Sequence, residues 1–185
     1  ESLYRISELT TDIELDIDTF YSKVHNIIGQ LINAKNFYIA KYEKDSDTLR
    51  FSYYVDEKSS NLAKDFKPRK LSNRYAEIVL RRRETVLLTY QEMMALHLDG
   101  EVKKPQDDIH SWLGVPLIYS GQLLGVMVLQ SYYYKTTYNQ QDAELLNFVS
   151  NHVSAAIKRR ELADFERRSH ELLEQQVKLR TLALE

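Results

Sequence analysis

Five histidines are the side chains of this 185-residue sequence best suited to acid–base or metal chemistry, and cysteine is absent altogether. His25, His97, His110, His152 and His170 show no H-x-x-x-H or H-x-H spacing, so nothing in their order gathers them as ligands of a metal ion. Without cysteine there is no disulfide, thiolate zinc site, thiol nucleophile or cysteine-linked chromophore, and a cytoplasmic setting is expected. Phosphate chemistry would need backbone N–H groups freed by glycine. In SWLGVPLIYSGQLLGVMVLQSY (111–132), Gly114, Gly121 and Gly125 have six and three residues between them. That fits neither G-x-G-x-x-G nor G-x-x-x-x-G-K, and no helix follows closely enough to present its N-terminus to a phosphate. No catalytic constellation emerges.

The same stretch is the most apolar of the chain. Crossing a membrane would take roughly 20 uninterrupted apolar residues. Pro116 and the Ser120-Gly121 pair instead divide it into two runs of about nine, each right for a strand. Val115, Ile118, Val126 and Val128 favour extended chain, so the stretch is expected to be a hairpin turning at Ser120-Gly121. Strict alternation puts Leu113, Val115 and Leu117 opposite Trp112, Pro116 and Ile118. It likewise puts Leu124, Val126 and Val128 opposite Leu123, Met127 and Leu129. Both faces are apolar, so these strands should lie centrally and be covered on both sides.

Around that hairpin the hydrophobic period switches between helix and strand. Ile17, Phe20, Tyr21, Val24, Ile27, Ile28 and Leu31 recur at helical steps, in an amphipathic helix that Asp16 or Asp18 caps and Asn33 ends. Leu3, Ile6 and Leu9 fit a shorter helix before it. NFYIAKY (36–42) and TLRFSYYV (48–55), rich in aromatic and β-branched residues and joined by EKDSD, predict two antiparallel strands. Residues 56–70, polar and carrying Pro68, predict a surface loop. Ser72 is placed to cap NRYAEIVLRRR, with Tyr75, Ile78, Val79 and Arg82 on one face and Arg81, Arg82 and Arg83 at the helix end that favours cations. TVLLT (85–89) reads as a short strand, QEMMALHL (91–98) as a short helix, and DGEVKKPQDD (99–108) as a second, mobile loop.

From Asn139, which caps it together with Asp142, a last helix should bury Leu145, Leu146, Val149, Val153, Ala156 and Ile157. The pattern runs on through Leu162, Phe165, Leu172 and Leu179, with Ser169, Gln176 and Ala183 at the alternate positions of a coiled-coil seam. A helix reaching Glu185 would be roughly 70 Å long, too long for one small domain. Its second half is therefore expected to pair with the same helix of a second copy. A formal charge of −2 and 43% hydrophobic residues fit one well-buried domain with an extension and give no reason to expect a nucleic acid partner. The sequence opens Glu-Ser with no basic or apolar leader and stops within a helical pattern, as a piece cut from a longer protein would. No membrane segment is expected in it.

The order helix, two strands, helix, strand, helix, two long strands, long helix resembles that of GAF domains. Residues 6–57, the hairpin SWLGVPLIYSGQLLGVMVLQSY and the segment YNQQDAELLNFVSNHVSAAIKRR are similar to the GAF sensors of bacterial signalling proteins. The Leu-Gly-Val-Pro-Leu and Leu-Gly-Val halves of the hairpin are the most specific part, and the resemblance covers about residues 3 to 160, which makes 1–160 the expected sensor domain. It implies an α+β, profilin/PAS-like antiparallel sheet of about six strands with helices on both sides. The terminal helices would pack on one face and a small-molecule pocket would lie on the other. Residues 161–185 would be a coiled-coil signalling helix leading to an output domain outside this sequence. The function implied is a non-catalytic sensor and dimerisation domain regulating a diguanylate cyclase (GGDEF) output in c-di-GMP signalling. The alternative is a sensor or purely structural dimerisation module of a histidine kinase, with no small-molecule ligand.

In similar domains the pocket-lining elements are those that carry Tyr53, Tyr75, Met93, Met94, His97, His110, Trp112 and Tyr132 here, which makes these the candidate ligand contacts. Each could equally be a core residue whose polar tip meets a backbone partner. Leu162, Phe165, Leu172 and Leu179 are the candidate dimer contacts. The sequence does not name the ligand. A covalent bilin is not expected without cysteine, the asparagine-lysine to aspartate-glutamate motif of cyclic-nucleotide GAF domains is not found, and the free methionine sulfoxide reductases of this fold rely on cysteine. Arg74 and Arg83 stand where glycines would be expected about the lid helix. SHEL (169–172) looks like the phosphoacceptor box of histidine kinases, but Leu173, Glu174 and Gln175 follow in place of Arg-Thr-Pro. His170 therefore reads as a solvated residue of the coiled coil.

Overall fold

Where the hydrophobic period is helical the chain forms α1 (Ser2–Thr11), α2 (Ile17–Gly29), α3 (Tyr75–Arg82), α4 (Tyr90–Leu98) and α5 (Gln140–Leu182). Between them run β1 (Phe37–Glu43), β2 (Thr48–Val55), β3 (Arg69–Lys70), β4 (Val86–Thr89), β5 (Ser111–Tyr119) and β6 (Gln122–Ser131). The structure is a computed structural model and describes residues 2–12, 15–58, 67–103 and 108–182. Its strands make one six-stranded antiparallel sheet in the order β3-β2-β1-β6-β5-β4. α1, α2 and α5 pack on one face and α3 and α4 on the other, so the sheet separates two apolar cores. This is the α+β arrangement anticipated.

The β5–β6 hairpin is central and buried on both faces. Ser120 and Gly121 both take positive φ, 47° and 76°, the mirror-image turn whose twist matches that of antiparallel strands. Alternation along β6 fails at one point. The pairing holds from Ser111–Ser131 to Leu117–Gly125 and then slips, so that Ile118 faces Leu123. The extra residue, Leu124, turns into the helix-side core with Met127 and Leu129, while Leu123 joins Val126 and Val128 on the other face. Their expected positions are thus reversed. Gly125 lies where β6 crowds β1: a Cβ there would run into the Ala40 carbonyl oxygen and stand 3.1 Å from the Lys41 Cα.

A second slip sits in β2, where Ile39 pairs with Tyr53 but Ala40 with Phe51, leaving Ser52 as the extra residue. Tyr53 and Phe51, two apart in sequence, consequently face opposite cores.

Helix ends differ in detail from the sequence reading. Asp16 caps α2, accepting the Thr19 N–H at 2.9 Å, but the helix stops at Gly29 rather than at Asn33. The Ile32 N–H then donates to the Ile28 carbonyl, burying Ile32 and leaving Leu31 41% exposed. α3 begins at Tyr75 with Arg74, not Ser72, in the N-cap position, because the Glu77 carboxylate reaches back to the Arg74 N–H. Tyr75 to Leu80 are all buried, and Arg82, expected on the inner face, keeps its guanidinium in solvent in the last turn. Arg83 follows in the left-handed conformation at φ 56°, which is glycine's usual conformation at the end of a helix. Of the two loops expected, residues 59–66 and 104–107 lie outside the described residues; within the second, Val102 is buried.

Asn139 and Asp142 cap α5 reciprocally, at 2.9 and 3.0 Å. This 43-residue helix is about 65 Å long. It buries Leu146, Val149, Val153, Ala156 and Ile157 against the sheet. Among the described residues no helix is long and apolar enough to cross a membrane.

Candidate functional site

Among the described residues, side chains of the protein itself fill the face of the sheet under α3 and α4, where a ligand pocket is expected. Trp112 is 1% exposed, and its ring centroid lies 5.8 Å from that of Tyr75. The indole lies over Gly114: a Cβ at that glycine would stand 2.6 Å from Cζ3 of Trp112 and 3.0 Å from Cγ2 of Val79. The absence of a side chain at position 114 is therefore what lets a tryptophan fill this core. Beside it remains a small cavity of about 40 Å³ lined by Tyr38, Ala40, Leu49, Phe51, Arg69 and Ala76, among others. That is room for about one water molecule.

One wall of this core is polar. Glu77 is 1% exposed, yet its carboxylate accepts from Nη1 of Arg69 at 2.6 Å as well as from the Arg74 backbone N–H. The ion pair and the N-cap together satisfy both carboxylate oxygens, which is what makes a buried charge tolerable. Burial pushes the nearby Tyr38 phenol well above its ordinary range, with the Arg69 charge pulling the other way. Sequence reading did not single out Glu77, Arg69 or Tyr38. A glutamate at the third position of a helix, reaching back to the cap, was the available signal for the first of them.

Among the described residues, the eight candidate contacts fall in several separate surroundings. Tyr75, Met93 and Trp112 share the core under α3 and α4. Tyr132 belongs to a buried polar network: its hydroxyl donates to Oδ2 of Asp56 at 2.6 Å, and Nε2 of Gln130 donates to the same oxygen at 3.1 Å. Met94 and His97 are half-buried on α4, with His97 Nδ1 3.4 Å from the Val102 carbonyl oxygen. His110 stacks on Tyr90 at 5.0 Å, and its backbone N–H donates to the Ser131 carbonyl. Tyr53 must be moved out of the group. The slip at Ser52 turns it to the opposite face, where its hydroxyl donates to Nδ1 of His25 at 2.9 Å while His25 Nε2–H donates to the Ala34 carbonyl at 2.6 Å. Burial lowers the His25 pKa from the ordinary histidine value.

The candidate dimer residues stand on the free half of α5. Leu162, Phe165, Leu172 and Leu179 are 50%, 71%, 61% and 67% exposed. His170 is exposed on the same stretch, its Nδ1 3.3 Å from a carboxylate oxygen of Glu174. Among the described residues no group of three or more metal-ligating side chains gathers.

Solved structures share this architecture. The GAF domain of a phosphoenolpyruvate-protein phosphotransferase from Coxiella burnetii superposes with a TM-score of 0.66 at 16% identity, covering 88% of this chain and 96% of that one. Free methionine-R-sulfoxide reductase from Neisseria meningitidis, in complex with its substrate, gives 0.68 at 14% identity over 88% and 90%. The GAF domain of a two-component sensor histidine kinase from Bacillus halodurans gives 0.60 at 15% identity over 80% and 98%. At such identities the likeness speaks to fold alone. No curated protein matches the sequence significantly. The family model described as GAF domain matches residues 14–158, well over half of the chain, and on that match the chain belongs to the GAF domain family of sensor and regulatory modules.

Proposed function

We propose that this chain is a non-catalytic GAF module that dimerises through α5 and regulates a C-terminal output domain, of the diguanylate cyclase type that the sequence resemblance suggests or, in the alternative, a histidine kinase. The observation that carries the reading is the continuity of α5. The helix is packed against the sheet as far as Ile157, and past Glu161 it presents Leu162, Phe165, Leu172 and Leu179 to solvent. Apolar side chains on a 3.5-residue period are those of a helix pair. A change that shifts α5 where it leaves the sheet would travel along the rigid helix and alter the alignment of two output domains. The input must favour one arrangement over the other, since a ligand bound equally by both shifts nothing.

The test is the oligomeric state of a Leu172→Asp/Leu179→Asp variant in light scattering, together with the output activity of the full-length protein. A monomer with lost regulation is expected. A variant that stays dimeric and regulates normally would refute the reading.

A second reading, a dimerisation module with no small-molecule ligand, is favoured by the filled core around Trp112. Thermal shift against metabolites and nucleotides separates the two. A ligand-binding sensor gains stability as its ligand passes the dissociation constant, whereas a module without one does not.

A further inference from the structure

We propose that the groove between α5 and the β1–β2 hairpin docks an acidic amphipathic segment of a partner protein. The groove has a volume of about 980 Å³. Its α5 wall runs from Ile157 to Arg168, about 16 Å along the helix, or three turns. Leu15, Ile17, Tyr21, Phe51 and Ile157 give it apolar surface, and Lys41 and Arg50 stand on the hairpin side.

Its charge is unbalanced. Among the described lining residues five cations, Lys41, Arg50, Arg160, Arg167 and Arg168, face three carboxylates. Each carboxylate is already engaged: Asp16 caps α2, Glu161 holds Lys41 at 2.9 Å and Lys158 at 3.5 Å, and Asp164 holds Arg167 at 3.0 Å. The Arg160 guanidinium lies 4.2 Å over the Phe20 ring and donates to the Asp12 and Leu15 carbonyls. Arg50 and Arg168 are exposed, on opposite walls, and have no carboxylate partner among the described residues. Positive charge flanking an elongated, partly apolar trough is complementary to a helix with one acidic and one apolar face.

The groove is separate from the dimer seam. At 100° per residue, the groove-lining Ile157, Arg160, Asp164 and Arg167 centre roughly 110° away from Phe165 and Leu172, while Arg168 stands at the edge nearer the seam. A partner helix on the seam therefore leaves open the side of the groove that carries Arg160 and Arg167, and a segment lying there would touch both α5 and the sheet and so set the angle at which α5 leaves the domain.

Fluorescence anisotropy on the whole chain tests this, with a labelled peptide of about three helical turns carrying leucines on one face and glutamates on the other. The acidic peptide is expected to bind, more weakly as salt rises, and its lysine counterpart not to bind. Arg50→Glu/Arg168→Glu should weaken binding by about tenfold or more. The milder Arg50→Gln/Arg168→Gln should fall between that variant and the wild type, and Arg81→Glu/Arg82→Glu, on α3, should bind like the wild type. Melting curves confirm that each variant is folded. The proposal is overturned by absence of acidic-peptide binding, by equal binding of the lysine peptide, by a folded charge-reversal variant that binds as well as the wild type, or by full displacement with equimolar pyrophosphate, which would mark a small-anion site.

Discussion

Replacing Gly114 with alanine should drive Trp112 out of its place, and the size of the effect follows from the geometry. The new Cβ would stand 2.6 Å from Cζ3 of the indole, closer still to Cη2, and 3.0 Å from Cγ2 of Val79. Overpacking of this kind costs about 1–3 kcal/mol. Alanine recovers about 0.5–1 kcal/mol because it is less free than glycine in the unfolded chain. Gly114 is not among the positive-φ glycines, so no conformational strain offsets that gain. The net loss is then about 1–2 kcal/mol, a fall in melting temperature of roughly 2–8 °C for a domain of this size. In a Trp112→Leu background the indole is gone and only Val79 is close, so the same alanine should be nearly neutral. The coupling between the two changes should thus be about 1–2 kcal/mol in a double-mutant cycle read by urea unfolding and circular dichroism. Trp112 is the only tryptophan, so Gly114→Ala alone should also shift the emission to longer wavelength as the indole meets water. An alanine at 114 that costs the same in both backgrounds would refute the account of the filled core.

His25 should make stability depend on pH. Burial lowers its pKa in the folded state, the bond to Ala34 opposing, so the unfolded chain binds more protons in this window and stability is lost as pH falls below 6.5, the ordinary histidine value. One group contributes a slope of at most about 1.4 kcal/mol per pH unit. His25→Gln should remove that component from urea melts taken across the range, and an unchanged slope would contradict the assignment. Arg83 holds a left-handed φ of 56° and donates to the Gly121 carbonyl. Since that conformation costs a side-chain-bearing residue about 1–2 kcal/mol, and both the lost hydrogen bond and glycine's freedom count against the change, Arg83→Gly should stabilise by up to about 1 kcal/mol in thermal melts. A clear loss would mean that the contact with the turn outweighs the strain.

Periodicity and turn chemistry determined much of this fold before any coordinates. The run 111–132 is apolar on both faces and broken at Ser120-Gly121, and those properties alone point to a central, doubly covered hairpin that turns there. The capping pair Asn139 and Asp142 and the stripe from Leu145 to Ile157 likewise fix the start and inner face of α5 by local rules. What only the tertiary structure decided lies where one extra residue enters a strand. At Ser52 and Leu124 the slip in pairing arises from how two strands fit across a twisted sheet, and no local propensity records it. Each slip moves the residues beyond it to the opposite face. That is why Tyr53 left the candidate pocket for a bond with His25, and why Leu123 and Leu124 exchanged cores. The same dependence on distant parts explains Glu77, which packing turns into the buried partner of Arg69. It also explains Gly114, whose missing side chain becomes meaningful only once the ring of Trp112 lies across it.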